Sequence, residues 1–153
     1  MAVLINGRDL TVEEVIRVCR EDEEVRLTDE AVEAVNKARA YIEKKLAEKA
    51  VLYGLTTGFG KFSNVVISRE ETEKLQRNLI ISHTCTMGES YPRHYVRAAM
   101  LLRCNALARG NSGIRLETLQ TLIDMINKGV HPVIPEKGSL GASGDLAPLS
   151  HIA

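Results

Sequence analysis

Ala142, Ser143 and Gly144 form a run of very small residues inside GSLGASGDLAPLSHIA, residues 138–153. Their order permits a reaction of the backbone with itself. The amide nitrogen of Gly144 can attack the carbonyl carbon of Ala142 and close a five-membered ring. Glycine suits the attacking position because no Cβ obstructs it and its φ/ψ range is wide. Ala142 keeps the attacked carbonyl uncrowded, and Ser143 carries a β-hydroxyl that can leave as water. With two waters lost, the product is an exocyclic methylidene, a carbon electrophile made without an external cofactor. Asp145 then stands where a helix can begin, and the positive end of that helix would draw electron density into the ring. Taken alone, Ala-Ser-Gly is a common tripeptide, and a glycine turn before an Asp-capped helix is by far the simpler reading.

Tyr53 opens a second glycine-rich stretch, YGLTTGFGKFSN, with Gly54, Gly58 and Gly60 close behind it. On sequence alone this reads as a surface loop with flexible turns; the functional alternative is that the phenol serves as a general base, provided its pKa falls from about 10 toward working pH. Gly60-Lys61 invites a phosphate-loop reading. That template needs glycine five positions before Gly60 and Ser or Thr after Lys61, and Leu55 and Phe62 stand there instead. His83, Cys85 and His94 match no zinc spacing and offer only three ligands, so no metal is expected. Five arginines lie between Arg93 and Arg115 with no acid among them. Arg93 and Arg97 share a helical face, but Arg103 and Arg109 point elsewhere, so they read as scattered surface or subunit contacts rather than a nucleic-acid stripe.

These groups need helices to hold them. Thr11 and Glu14 make a capping box, followed by Val12, Val15, Ile16 and Cys19 on one face. The charged run Glu21–Glu24 reads as a solvated helix end or turn. Thr28 caps a longer helix through Lys49, with Val32, Val35, Ile42 and Leu46 as core candidates. A third helix is expected over Ser68–Ser82, with Leu75, Leu79 and Ile80 inward. A fourth runs from Pro92 to a C-cap at Arg109-Gly110, and a fifth from Leu116 to Asn127, stopped by Lys128-Gly129. A last helix is under way at Leu149–Ala153 with no Gly or Pro stop. The glycine-rich stretches 54–60 and 138–144 fall between helices as loops.

Composition bounds the rest. At 153 residues the chain is about one domain. Its 20 basic and 20 acidic residues give no net charge, which argues against a general polyanion binder. MAVLINGRDL lacks the basic and apolar regions of a signal peptide. No apolar run approaches the ~18 residues of a membrane span. Cys19, Cys85 and Cys104 are odd in number and far apart, which suits reduced thiols in the cytoplasm.

Four segments, in order, resemble the aromatic amino acid ammonia-lyases. GSLGASGDLAPLSHIA is similar to the family signature whose Ala-Ser-Gly becomes a methylidene-imidazolone (MIO) group. YGLTTGFGKFSN resembles the family's tyrosine loop, and LQRNLIISHTCTMGE (75–89) and RCNALARGNSGIR (103–115) resemble two further segments. Ser82-His83 resembles the histidine-specific branch. Phenylalanine-specific branches usually carry an apolar residue at the position of His83, whereas tyrosine-selective ones can also carry His. Thr56 stands where the family commonly has Asn, Asn111 where Tyr is usual and Ser90 where Pro is frequent. None of these departures removes a reacting group.

The resemblance implies a mainly α chain, the N-terminal part of the helical-bundle ammonia-lyase fold with glycine-rich active-site loops. It implies conversion of L-histidine to trans-urocanate and ammonia through an MIO formed from Ala142, Ser143 and Gly144. In that scheme Tyr53 is the base, His83 positions the substrate imidazole and Asp145 supports ring formation. Gly54, Gly58 and Gly60 let the tyrosine loop move. It further implies that residues 1–153 are an incomplete N-terminal region, with a complementary C-terminal chain and a homotetramer completing the site. A tyrosine or phenylalanine ammonia-lyase or aminomutase relative, and a silent helical fragment or interaction subunit, remain the alternatives.

Overall fold

A computed structural model describes residues 2–57, 69–138 and 146–153. The chain divides into two compact units, Met1–Ile42 with Ser90–Ile134, and Glu43–Glu89 with Pro135–Ala153.

The first unit contains two short strands, β1 (Ala2–Ile5) and β2 (Glu24–Leu27), paired in parallel with Val3 opposite Val25 and Ile5 opposite Leu27. Parallel neighbours need a crossover between them, and α1 (Val12–Arg20) supplies it. The helix starts at the expected capping box: Thr11 Oγ1 accepts from the Glu14 amide at 3.2 Å, and Glu14 Oε2 accepts from the Thr11 amide at 2.9 Å. The strands depart from the sequence reading. Glu24 is the first residue of β2, not a helix end, because Val25 alternates with charged neighbours and turns inward. At four residues each, both strands are too short for a clear period-2 signal.

α2 (Asp29–Ala47) begins after Thr28, whose Oγ1 accepts from the Ala31 amide at 3.2 Å. α4 (Arg93–Ala108) crosses the centre of the unit and packs on α1, β1 and α5 (Leu116–Asn127). It buries Val96, Met100, Leu101, Cys104, Leu107 and Ala108 at i, i+4 spacing, while α5 contributes Leu119, Ile123 and Ile126. Val3, Ile5, Val18 and Val25 complete this core. Each large aliphatic so enclosed contributes roughly 1.5–3 kcal/mol relative to exposure. On α1 the inward pair is Val18 and Cys19, whereas the expected Val12 and Ile16 are exposed. On α2 only Ala31 and Val35 are buried, and Val32, Ile42 and Leu46 are half-buried.

Arg97 is the one arginine whose surface assignment is wrong: it is 1% exposed. Its Nη1 donates to the Ile126 carbonyl and its Nη2 to the Val18 carbonyl, both at 2.8 Å. Those carbonyls lie near the C-termini of α5 and α1, where helices leave acceptors unsatisfied and favour positive charge. Asp22 closes the charge balance, 3.0 Å from Arg97 and 2.6 Å from Arg93. Asp22 sits at φ 57°, a left-handed conformation that aspartate tolerates better than most residues. A second side chain bridges distant elements. Asn127 accepts from the Val25 amide at 2.8 Å and donates to the Val25 carbonyl at 2.9 Å, copying a strand neighbour.

The second unit holds α3 (Arg69–His83), all but the last residue of β3 (Met87–Ser90), its partner strand β4 (Pro135–Lys137), and α6 (Leu146–Ser150). α3 and α6 pack together. Leu75 and Leu79 are half-buried as expected, but Ile80 is exposed. The expected helix at Leu149–Ala153 is a correction: α6 ends at Ser150 and 151–152 form a turn. Ser150 Oγ donates back to the Ala147 carbonyl at 2.6 Å, the local bond by which serine competes with helix continuation. Among the described residues, no helix is long and apolar enough to cross a membrane.

Candidate active site

Tyr53 lies in a turn at 53–56 and is 66% exposed. Threonines build the turn. Thr56 Oγ1 accepts from the Leu52 amide at 2.8 Å and donates to the Ala50 carbonyl at 3.2 Å; Thr57 Oγ1 accepts from the Gly54 amide at 3.2 Å. Gly54 has φ 71°, where a side chain would meet its own backbone. Thr56, the departure from the family's usual Asn, therefore holds the turn with a side-chain oxygen, as Asn can.

His83 ends α3. Its Nδ1 is 2.7 Å from the Leu79 carbonyl and 3.1 Å from Ser82 Oγ. A carbonyl only accepts, so this network assigns a proton to Nδ1, and in that tautomer Nε2 is the ring's acceptor. Ser82 Oγ donates to the same carbonyl at 2.8 Å, which leaves its lone pairs toward the imidazole. Ser82 therefore fixes the ring rather than merely preceding it. His83 is half-buried, anchored on one edge.

Ala142, Ser143, Gly144 and Asp145, with Gly58 and Gly60, lie outside the described residues. Both flanks of the Ala-Ser-Gly segment are described. A Cβ built on Gly138 would stand 2.9 Å from the Ala147 Cβ and 3.5 Å from the Thr86 methyl. Glycine is needed at 138 because the chain entering the segment and the chain leaving it touch. Helix α6, which follows, has only five residues. The dipole contribution expected of a helix starting at Asp145 is correspondingly small.

Tyr53, Gly54, His83 and both flanks fall in the second unit, while His94 falls in the first, against Tyr95 at 4.5 Å between ring centroids. Two side chains near the flanks drew no attention in the sequence. Thr86 and His151 share a 2.7 Å hydrogen bond although 65 positions apart. Nothing in their spacing announces that contact.

Residues 10–153 match the family model described as aromatic amino acid lyase. The chain belongs to that family. It is 59% identical over 150 residues to the histidine ammonia-lyase of Caldanaerobacter subterraneus subsp. tengcongensis, an alignment covering 98% of this chain and 30% of that protein. The histidine ammonia-lyase of Trypanosoma cruzi superimposes with a TM-score of 0.89 at 39% identity, covering 99% of this chain and 29% of that one. Ergothionase of Treponema denticola, an ergothioneine-degrading enzyme, gives 0.91 at 36% identity over 99% and 30%. The chain thus spans about 30% of the length of the curated relatives it matches. Its mainly helical architecture is that of the N-terminal part of the ammonia-lyase fold.

Proposed function

We propose that this chain supplies the N-terminal part of a carbon–nitrogen lyase that converts L-histidine to trans-urocanate and ammonia. The observation that carries the choice of histidine is His83. Its Nδ1 is tied to the Leu79 carbonyl, so Nε2 can accept a hydrogen bond from the imidazole N–H of a substrate. An apolar side chain at this position would leave that N–H unpaired, and a buried unpaired donor costs about 1–3 kcal/mol. The relatives named histidine ammonia-lyase support the same choice.

The β-hydrogens of histidine are weakly acidic and its amine is a poor leaving group, so the reaction needs a base and an electrophile. Ala142, Ser143 and Gly144 would form an MIO ring, and that group would supply an electrophile able to make the amine a better leaving group. Tyr53 accepts the β-proton from a turn held by Thr56 and Thr57. His83 fixes the imidazole so that the β-carbon faces Tyr53, an orientation effect. Asp145 supports ring formation, and Gly54, Gly58 and Gly60 let the Tyr53 segment close over the substrate. A complementary C-terminal chain and a homo-oligomer complete the site. Free thiols at Cys19, Cys85 and Cys104 suit a cytoplasmic setting.

The test is urocanate formation by the assembled lyase, with intact mass. Wild-type chains should be lighter than their sequence by two waters. Ser143→Ala should abolish both the mass loss and the activity without unfolding the protein. Tyr53→Phe should keep the mass loss and lower turnover by at least ~10²-fold. His83→Leu should lower kcat/KM for histidine more than for phenylalanine. An unchanged ratio removes His83 from the substrate site, and full activity in Ser143→Ala removes the electrophile.

A further inference from the structure

Asn6 and Gly7 make the tight passage from β1 to α1, and that passage asks for both residue types. Gly7 has φ 82°, and a Cβ there would collide with Arg109 Cγ and stand 2.8 Å from the Arg109 amide nitrogen and 2.9 Å from the Asn105 carbonyl oxygen. Only glycine fits both the conformation and the space. Asn6 closes the turn with its side chain. Its Oδ1 accepts from the Arg8 amide at 2.9 Å and the Asp9 amide at 3.1 Å, and its Nδ2 donates to Asp9 Oδ2 at 2.6 Å. Asparagine supplies acceptor and donors from one planar group. The turn is thus built from Asn-Gly, the pairing in which a backbone amide reaches a side-chain carboxamide with least hindrance, since the attacking nitrogen belongs to a residue without a Cβ.

The same turn restrains that reaction. The Gly7 amide donates to Asn105 Oδ1 at 2.9 Å, which holds its nitrogen against α4, and the Asn6 carboxamide is gripped at both its oxygen and its nitrogen. Gly7 must leave Asn105, and the carboxamide must turn from its partners, before nitrogen meets carbon. Both residues are half-buried, so water and base reach them once the turn opens. We propose that Asn6-Gly7 is a spontaneous deamidation site whose rate is set by local opening of the turn at 6–9. The Gly7 nitrogen bonds to Asn6 Cγ, the Cγ–Nδ2 bond breaks, and Nδ2 leaves as ammonia with the Gly7 amide proton. Water then adds to either carbonyl carbon of the succinimide, giving aspartate or isoaspartate with no change of oxidation state. The product fits the turn worse than the reactant. An aspartate at 6 sets a carboxylate against Asp9 where Nδ2 now donates, and like charges repel. An isoaspartate lengthens the backbone by one carbon before Gly7 and pulls it from Asn105. Each conversion therefore favours the open turn.

The experiment incubates the assembled lyase at pH 8 and follows the peptide carrying Asn6 by mass, with an isoaspartyl methyltransferase assay separating isoaspartate from aspartate. Circular dichroism on the same samples reports folding. The native chain should convert at least ~10²-fold more slowly than the same chain in denaturant. Asn105→Ala frees the Gly7 amide, and Asp9→Ala frees the carboxamide nitrogen. Each should convert about tenfold faster than wild type when native and no faster when denatured. Asn105→Asp keeps an acceptor oxygen and should stay near the wild-type rate. Ile123→Ala weakens the core without touching the turn and should also stay near it, because the opening is local. Absence of conversion at Asn6 in denaturant overturns the site. Equal native and denatured rates overturn the restraint, as do unchanged native rates in both alanine variants of the turn. Acceleration in Ile123→Ala as large as in Asn105→Ala overturns local opening. If Asn105→Ala fails to fold, Asp9→Ala decides alone.

Discussion

The two units of the chain divide the work unevenly. Among the described residues, every buried apolar side chain except Ala147 belongs to the first unit. The second carries Tyr53, His83 and the flanks of the Ala-Ser-Gly segment, on elements whose side chains are mostly exposed or half-buried. The first is held by volume filled with aliphatic groups, the second by hydrogen bonds among small polar side chains such as Thr56, Ser82, Thr86 and His151. The proposed site residues that the structure describes fall in the unit where local polar contacts set geometry.

Thiol labelling probes this contrast most sharply. Burial raises the Cys19 thiol above its ordinary pKa and pushes Cys104 up to about 12, while Cys85 is exposed. At pH 8 an alkylating reagent should modify Cys85 at least ~10³-fold faster than Cys104, whose labelling needs an opening of the core. Comparable rates, read by peptide mass, would mean the first unit has no closed core. Next in size, Ile123→Ala should cost about 3 kcal/mol in denaturant unfolding, and Leu75→Ala on α3 under ~1.5 kcal/mol. Equal costs would erase the distinction. Arg97→Met should cost about 2 kcal/mol, because the Val18 and Ile126 carbonyls lose their donors while Asp22 keeps Arg93.

Two smaller effects refine it. Lys49 ends α2 at φ 54°, where a Cβ is strained, so Lys49→Gly should raise stability by up to ~1 kcal/mol. No gain in melting temperature would mean the end of α2 is set by another contact. Asp22 is held below the usual carboxylate range, first by its hydrogen bond from Arg93 and also by the Arg97 charge. A lowered folded pKa contributes stability that is present above about pH 4 and fades as pH falls through the folded value. Asp22→Asn should flatten the acid limb of a stability–pH curve by a small amount, since the carboxylate is largely exposed. An unchanged limb would assign the acid sensitivity elsewhere.

Much of this was legible in the residues. The capping box at Thr11 and Glu14, the Thr28 cap, and the helices ending at Gly110 and Gly129 rest on local chemistry, and local chemistry is written in sequence. The strands were not legible, because four residues show no period and β2 pairs with a strand about twenty positions back. Arg97 was misread for a related reason. Its partners are the ends of two helices at a distance, and composition alone sends an arginine to the surface. In the site, Tyr53, His83 and the Ala-Ser-Gly segment stood out by residue type and by resemblance to a family. Thr86 and His151 did not, since a hydrogen bond across 65 positions exists only once the chain has folded.

The Asn127 amide offers one last consequence. β2 gives one edge to β1, and its other edge would expose the Val25 amide and carbonyl. By engaging both, Asn127 plugs the site where a stray extended segment from another molecule would attach. A single carboxamide thereby keeps a small ribbon finite, and swapping it for leucine should raise light scattering over time relative to the unaltered chain.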